Sequence, residues 1–257
     1  MIGANVVKTN VVIVVGTLDL YSIVWRGLCH GLKRYWPDCP WPVRFITNDL
    51  DPPCGEAVKV GGDRTRWSQR MKKGLRQIKS PVILWLTSDN WITAPVDTEA
   101  LLDFAGYILS RKADHIRLYP GWDHDTAKGP FRHDFRLMVF NRKSPYRCSL
   151  KPGLWWRKAL LSLLRKGEQA WDFEREASKR SRELGDRFLA VADWGHFPMV
   201  TAGDPSGDWV KSPVVRGRWT KAALRYARQE GLEIDFSKHP MGKIIDDKLR
   251  KVDWLLP

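Results

Sequence analysis

No apolar run in this 257-residue chain approaches the roughly 18 residues needed to cross a bilayer. The most hydrophobic stretch, VVIVV at 11–15, lacks a basic flank and a cleavage site, so it reads as a strand and not as a signal peptide. Cysteine is scarce. Cys29, Cys39, Cys54 and Cys148 form no CxxC pair, which argues against a cysteine zinc site and for reduced thiols in the cytoplasm. No GxxxxGK[ST] phosphate loop occurs, and Gly61-Gly62-Asp63 lacks its pattern. The first strand is followed by no GxGxxG, and neither GxSxG nor HExxH is present. Repeats, low-complexity tracts and Gly/Ser/Pro-rich linkers are also missing, so 1–257 is expected to form a single domain.

Two features are in excess: fourteen tryptophans and a formal charge of +14, with a pI near 9.8. Tryptophan fills cores, but exposed indoles also stack on sugars and bases. A net positive charge of this size points to a polyanionic or phosphorylated partner: nucleic acid, an acidic membrane surface or a phosphorylated small molecule.

The periodicities alternate between strand and helix. VVIVV is a strand, a helix is expected from about 21 to 35, and PVRFIT (42–47) is the next strand. Trp67, Met71, Leu75 and Ile78 mark one face of a helix over 67–80. The stretch 64–79 that contains it holds seven basic residues and no acid. PVILWL (81–86) reads as a strand, Thr98 as the cap of a helix to about 112, and DHIRLYP (114–120) as another strand. This order predicts an α/β fold: a mostly parallel, Rossmann-like sheet flanked by helices. Further on, FRLMVF (135–140) reads as a strand, while 154–164, 174–184 and 220–229 read as helices.

The segment LWLTSDNWI (84–92) passes from core strand to Ser88-Asp89-Asn90 without a break. Those three residues are turn formers. They also stand where open α/β sheets bind ligands, at the carboxyl end of a strand. Asp123-His124-Asp125 could hold a divalent cation, although such triplets are commonly solvated loop.

Four elements in order, WSQRMKKGLRQIKSPVILWLTSDNWI, PVDTEALLDFAGYILSRKADHIRLYP, SLKPGLWWRKALLSLL and GEQAWDFE, give the chain a resemblance to bacterial and viral GT-A type glycosyltransferases over roughly 10–235. The resemblance implies a GT-A-like domain with a nucleotide-sugar-binding half at about 1–125 and an acceptor-binding half at about 126–257. It makes Thr17, Tyr21, Arg70 and Asp89 donor-binding residues. It also implies a divalent cation (Mg²⁺ or Mn²⁺) on Asp89, with His196 within reach. Relatives carry Asp-x-Asp where this chain has Ser88-Asp89-Asn90, so the metal is either weakly held or dispensable, with arginines neutralising the diphosphate instead. By position in the family Glu174 is the catalytic base and Asp172 the second choice, against a plainer reading of both as acids favoured by a helix N-terminus.

Stretch 129–187 has 15 Lys/Arg against 7 Asp/Glu, and with its tryptophans it is the expected acceptor side. Lys151, Trp155, Trp156 and Arg157 are the candidate acceptor-binding residues. The partners expected are a nucleotide-sugar donor, with UDP foremost, and DNA carrying a hydroxymethylated pyrimidine, as bacteriophage enzymes of this resemblance modify 5-hydroxymethylcytosine. The alternatives are sugar transfer to a lipopolysaccharide or capsular glycan, and nucleic-acid binding by a catalytically weak protein.

Overall fold

The computed structural model describes residues 3–62, 66–120, 127–193, 196–197, 212–215 and 218–238. VVIVVG (β1, Val11–Gly16) is buried at every position, as a continuous apolar strand must be when both faces of its sheet are covered. It pairs in parallel with β2 (Val43–Thr47) on one side and β4 (Val82–Thr87) on the other, and β3 (Glu56–Lys59) extends β2 in parallel. Beyond β4, β8 (Gly153–Trp156) inserts antiparallel between β4 and β5 (His115–Arg117). Next come β9 (Phe188–Val191), parallel to β5, and the antiparallel hairpin of β6 (Ala127–Phe131) and β7 (Asp134–Phe140). One nine-stranded sheet results, in the order β3-β2-β1-β4-β8-β5-β9-β7-β6.

Helices cover both faces because successive strand residues point to opposite sides. Ile13, Val15, Leu84 and Leu86 meet α1 (Ala4–Thr9), α2 (Ser22–Tyr35), α4 (Thr98–Leu109) and α7 (Lys221–Gln229). Val12, Val14, Ile83 and Trp85 meet α3 (Trp67–Gln77), α5 (Arg157–Leu163) and α6 (Ala170–Arg180). Close approach fixes Gly27 in α2: an added Cβ would lie 2.1 Å from Cε2 of the buried Trp91 indole. Most of the described tryptophans are core, with Trp25, Trp36, Trp41, Trp85, Trp91, Trp155 and Trp219 all buried. Truncating one of the fully buried indoles to alanine is expected to cost about 3–5 kcal/mol.

Three expectations change. The α/β layering holds, but the sheet is mixed: parallel pairing is confined to β3-β2-β1-β4 and to β5-β9, because β8 and the β6–β7 hairpin run the other way. The helix expected over 154–164 begins only at Arg157. Leu154 enters one core face and Trp155 the other, a period of two that makes Gly153–Trp156 a strand. Finally, Cys29 and Cys54 form a disulfide, closing α2 onto the segment just ahead of β3, while Cys39 and Cys148 are free. Four reduced thiols were expected, and that was a ground for the cytoplasmic reading; disulfides persist where the environment is oxidising. Among the described residues no helix is long and apolar enough to cross a membrane.

Candidate active site

The register brings one set of loops to a common edge. Gly16 lies opposite both Ile46 and Thr87, so Thr17, Thr47–Asn48 and Ser88–Asn90 emerge side by side. Gly153 lies opposite both Trp85 and Arg117, and because β8 is antiparallel, residues 149–152 arrive at this same edge. The strand order reverses at β1: β2 lies to one side and β4 to the other. The helix after β1 covers one face and the helix before β4 covers the opposite one. Such a switch point leaves a crevice between the strand ends, where open sheets take ligands.

Ser88, Asp89 and Asn90 do form a turn, and that turn presents Asp89. The Asn90 side-chain oxygen accepts from Thr87 N at 2.7 Å and from the Thr87 hydroxyl at 2.9 Å, while Asn90 N donates to Thr87 O at 3.0 Å. Ser88 is buried and bonded across the crevice to Thr17 at 3.0 Å, and Thr17 also receives the Trp25 indole N–H at 2.9 Å. With its neighbours turned inward, only Asp89 presents a charge. Its carboxylate accepts from the Ser212 hydroxyl. Tyr21 lies close by, its phenol pKa raised by burial and then by the Asp89 charge. Asp19, which composition and motif do not single out, clamps the loop after β2 by accepting from the backbone N–H groups of Asn48, Asp49 and Leu50 at 2.8–2.9 Å.

Glu174 reaches this edge from α6. Its Oε1 accepts from Leu150 N at 2.7 Å and from the Ser149 hydroxyl at 3.1 Å. Burial raises the Glu174 pKa above the ordinary glutamate value, opposed by those two hydrogen bonds and by the charges of Lys151 and Arg117. Arg117, at the end of β5, is buried, donates to Tyr119 O at 2.9 Å and lies 4.5 Å from the Phe140 ring. Burial lowers its guanidinium to about 10. Sequence reading missed Arg117; the available signal was an arginine inside the short apolar strand HIRLY. Arg70, in the first turn of α3, is also buried. Thr47 Oγ1, Asn48 Nδ2 and Ser68 Oγ are buried without a hydrogen-bond partner among the described residues. Orphaned polar atoms beside a crevice are what a bound polar ligand would complete.

Other candidates are placed elsewhere. Trp155 is fully buried and stacked on His115 at 3.7 Å. Trp156 pairs with Val82 at the opposite edge, under the Arg111 guanidinium at 4.4 Å. Arg157 donates to Ser80 O at 2.9 Å and Leu75 O at 3.3 Å, tying off the end of α3. Of the four acceptor candidates, only Lys151 lies at the site edge, because β8 carries the chain across the whole sheet between Lys151 and Arg157. Asp172 is a helix cap, accepting from Gln169 N at 3.1 Å and pairing with Arg175 at 2.9 Å. His196 is bound to Asp97 at 2.9 Å and sits edge-on to Phe104, which engages it away from Asp89.

The described residues contain no group of three His, Cys, Asp or Glu side chains able to hold a metal ion. Asp89 is the one carboxylate on its turn, and its neighbours' oxygens are engaged, so these side chains alone do not make a cation site. Asp123-His124-Asp125 lies outside the described residues, as do Arg64, Trp194 and Gly195.

No family profile matches the chain, and no curated protein sequence matches it either. Among solved structures, the chain is similar to a fragment of S. aureus TarS, residues 1–349, at 13% identity and a TM-score of 0.49, covering 89% of this chain and 67% of that one. The same fragment in complex with UDP-GlcNAc matches at 14% identity and a TM-score of 0.47, covering 88% and 67%. The longer S. aureus TarS is spanned over only 41% of its length, at 12% identity and a TM-score of 0.47, with 89% of this chain covered. A mannosyltransferase of Pyrobaculum calidifontis, in complex with GDP-Man and Mn²⁺, matches at 12% identity and a TM-score of 0.45, covering 72% of this chain and 54% of that one. Overlaps this shallow say nothing of what this chain binds.

Proposed function

We propose that the chain is a glycosyltransferase that moves a sugar from a nucleotide-sugar donor to a hydroxyl acceptor. One observation carries the reading: Asp89 and Glu174, far apart in sequence, stand at the same carboxyl edge beside Arg117 and Lys151. In the transfer, the acceptor oxygen forms a bond to the anomeric carbon while the bond from that carbon to the diphosphate breaks. The diphosphate leaves with the electron pair, and Glu174 takes the acceptor proton. The desolvated carboxylate suits a base, because a raised pKa increases its proton affinity. Arg117, Arg70 and Lys151 are the cations assigned to the diphosphate. The orphaned Thr47, Asn48 and Ser68 groups serve the nucleoside, with Tyr21 alongside. Were a divalent cation to enter with the donor, Asp89 would be the carboxylate to hold it, and the ion would neutralise charge on the leaving diphosphate.

For the acceptor, the reading is a hydroxymethylated pyrimidine in DNA, supported by charge alone. Incubating the protein with UDP-glucose and 5-hydroxymethylcytosine DNA, then analysing the nucleosides by mass spectrometry, tests it. Hexose on the nucleoside is the expected result. Donor hydrolysis with no transfer to DNA redirects the acceptor to a phosphorylated glycan. Absence of hydrolysis with every donor and metal tried sinks the enzyme reading and leaves a binding protein.

A further inference from the structure

One face of the sheet is covered by two basic segments that carry no acid. Residues 66–79 and 157–167 together hold ten lysines and arginines and no acid. They build α3 and α5, which touch each other and cover the same face of the sheet. On several other elements cations sit beside acids. On α6, Arg175 pairs with Asp172, Lys179 with Glu176 and Arg180 with Glu168. Around the hairpin, Arg136 pairs with Asp134, and Lys128 and Arg142 share Asp186. By contrast, Arg76, Lys79, Lys158 and Lys166 are exposed and stand in no ion pair among the described residues. Exposed cations outside the ion pairs also stand on other elements, Lys33, Lys143 and Arg182 among them, but α3 and α5 together form a face whose segments carry no acid at all.

We propose that the α3–α5 face docks the phosphate backbone of duplex DNA and leads it to the carboxyl edge. The direction of travel rests on the DNA-acceptor reading, whereas the binding itself needs no catalysis. The face runs along the whole of α3, about 16 Å, over which a duplex presents roughly nine backbone charges. It meets the site edge at its upper end, where Ser68 N bonds Glu168 O at 3.1 Å and joins α3 to the start of α6. Just beyond stands Trp171, 74% exposed and one helical turn from Glu174, able to stack on an extruded base. A lipid surface fits less well. A helix that lies in a membrane interface needs its apolar side free. The apolar sides of α3 and α5 are packed on the sheet, and neither helix carries an exposed large hydrophobic residue.

The test is equilibrium binding of a short labelled duplex to the full chain and to the charge-reversed variant R76E/K79E/K158E/K166E. Binding weaker by at least about tenfold is expected, and the slope of log affinity against log salt should fall by about 3.6 if each side chain meets one phosphate. The neutral set R76Q/K79Q/K158Q/K166Q, with an unchanged circular dichroism spectrum, should move both quantities the same way and guards against misfolding. K112E/R132E, changed outside the two helices, should leave binding nearly intact. Equal affinity of wild type and the charge-reversed variant overturns the proposal, as does equal loss in K112E/R132E. Binding to phosphatidylserine vesicles but not to DNA also overturns it. Donor hydrolysis without DNA separates the two readings: its absence, with DNA binding intact, removes the enzyme and leaves the docking face.

Discussion

Asp89 and Glu174 reach one edge of the sheet in opposite surroundings. Asp89 sits at the tip of a tight turn, half-buried, with the Ser212 hydroxyl and the Tyr21 phenol beside it. Glu174 is held by a backbone N–H and a hydroxyl, with the charges of Arg117 and Lys151 close by, and burial still raises its pKa. The difference teaches how far two environments can set apart residues of one class. A carboxylate made proton-hungry by desolvation suits proton transfer, and one set out on a turn suits ligation. Asp172, two residues before Glu174, supplies a third environment, a helix cap, and no site chemistry follows from it.

The strongest break of this comparison is Glu174→Gln, which keeps acceptors for Leu150 and Ser149 but removes the base. Transfer should fall by about 10²–10⁴-fold in single-turnover kinetics. Stability should hold or rise. The folded pKa lies above the unfolded one, so the ionised carboxylate costs stability, and that cost appears as pH rises from the unfolded value through the folded one. Glutamine at 174 removes this dependence, and urea midpoints across that pH range would show it. Undiminished transfer would end the assignment of Glu174 as base.

Asp89→Ala should cost roughly 10–10²-fold in kcat/KM, the range expected for losing one hydrogen bond to a charged group. If Asp89 acts through a cation, chelation and substitution should not add, because both remove the same interaction. Fully additive losses would separate Asp89 from any metal.

Arg117→Met should move the acid limb of the pH–rate profile to higher pH, because one of the cations that lower the Glu174 pKa is gone. A limb that stays in place would show that Glu174 does not set it. The smallest effect is expected from Asp172→Ala: a loss of about 1 kcal/mol in helix capping, read by thermal melting, with transfer hardly changed.

The parallel half of the fold was legible because its strands are continuous apolar runs separated by periodic helices. VVIVV, VRFIT and VILWLT each announce themselves. The other half was legible only in part: DHIRLYP and FRLMVF stand out as strands, but two neighbours do not. GLWW merges in sequence with the apolar face of α5, and AKGPF has no clean alternation. Asp89 was visible as a candidate because polarity broke in abruptly at a strand end. Arg117 was hidden because burial of an arginine depends on what packs over it, here Phe140 and Tyr119.

By itself, the sequence determined the layering, a helix from Trp67 (expected to reach 80, ending at Gln77) and the acid-free charge of two segments, since periodicity and composition are local properties. Tertiary structure decided which of those residues meet. The direction of β8 sends Trp155, Trp156 and Arg157 away from the edge where Lys151 stands. Packing of α6 gives Glu174 and Asp172 different partners, although only Phe173 lies between them in the chain. Pairings between distant segments set both outcomes, and a pairing depends on register and strand direction, which no local pattern encodes.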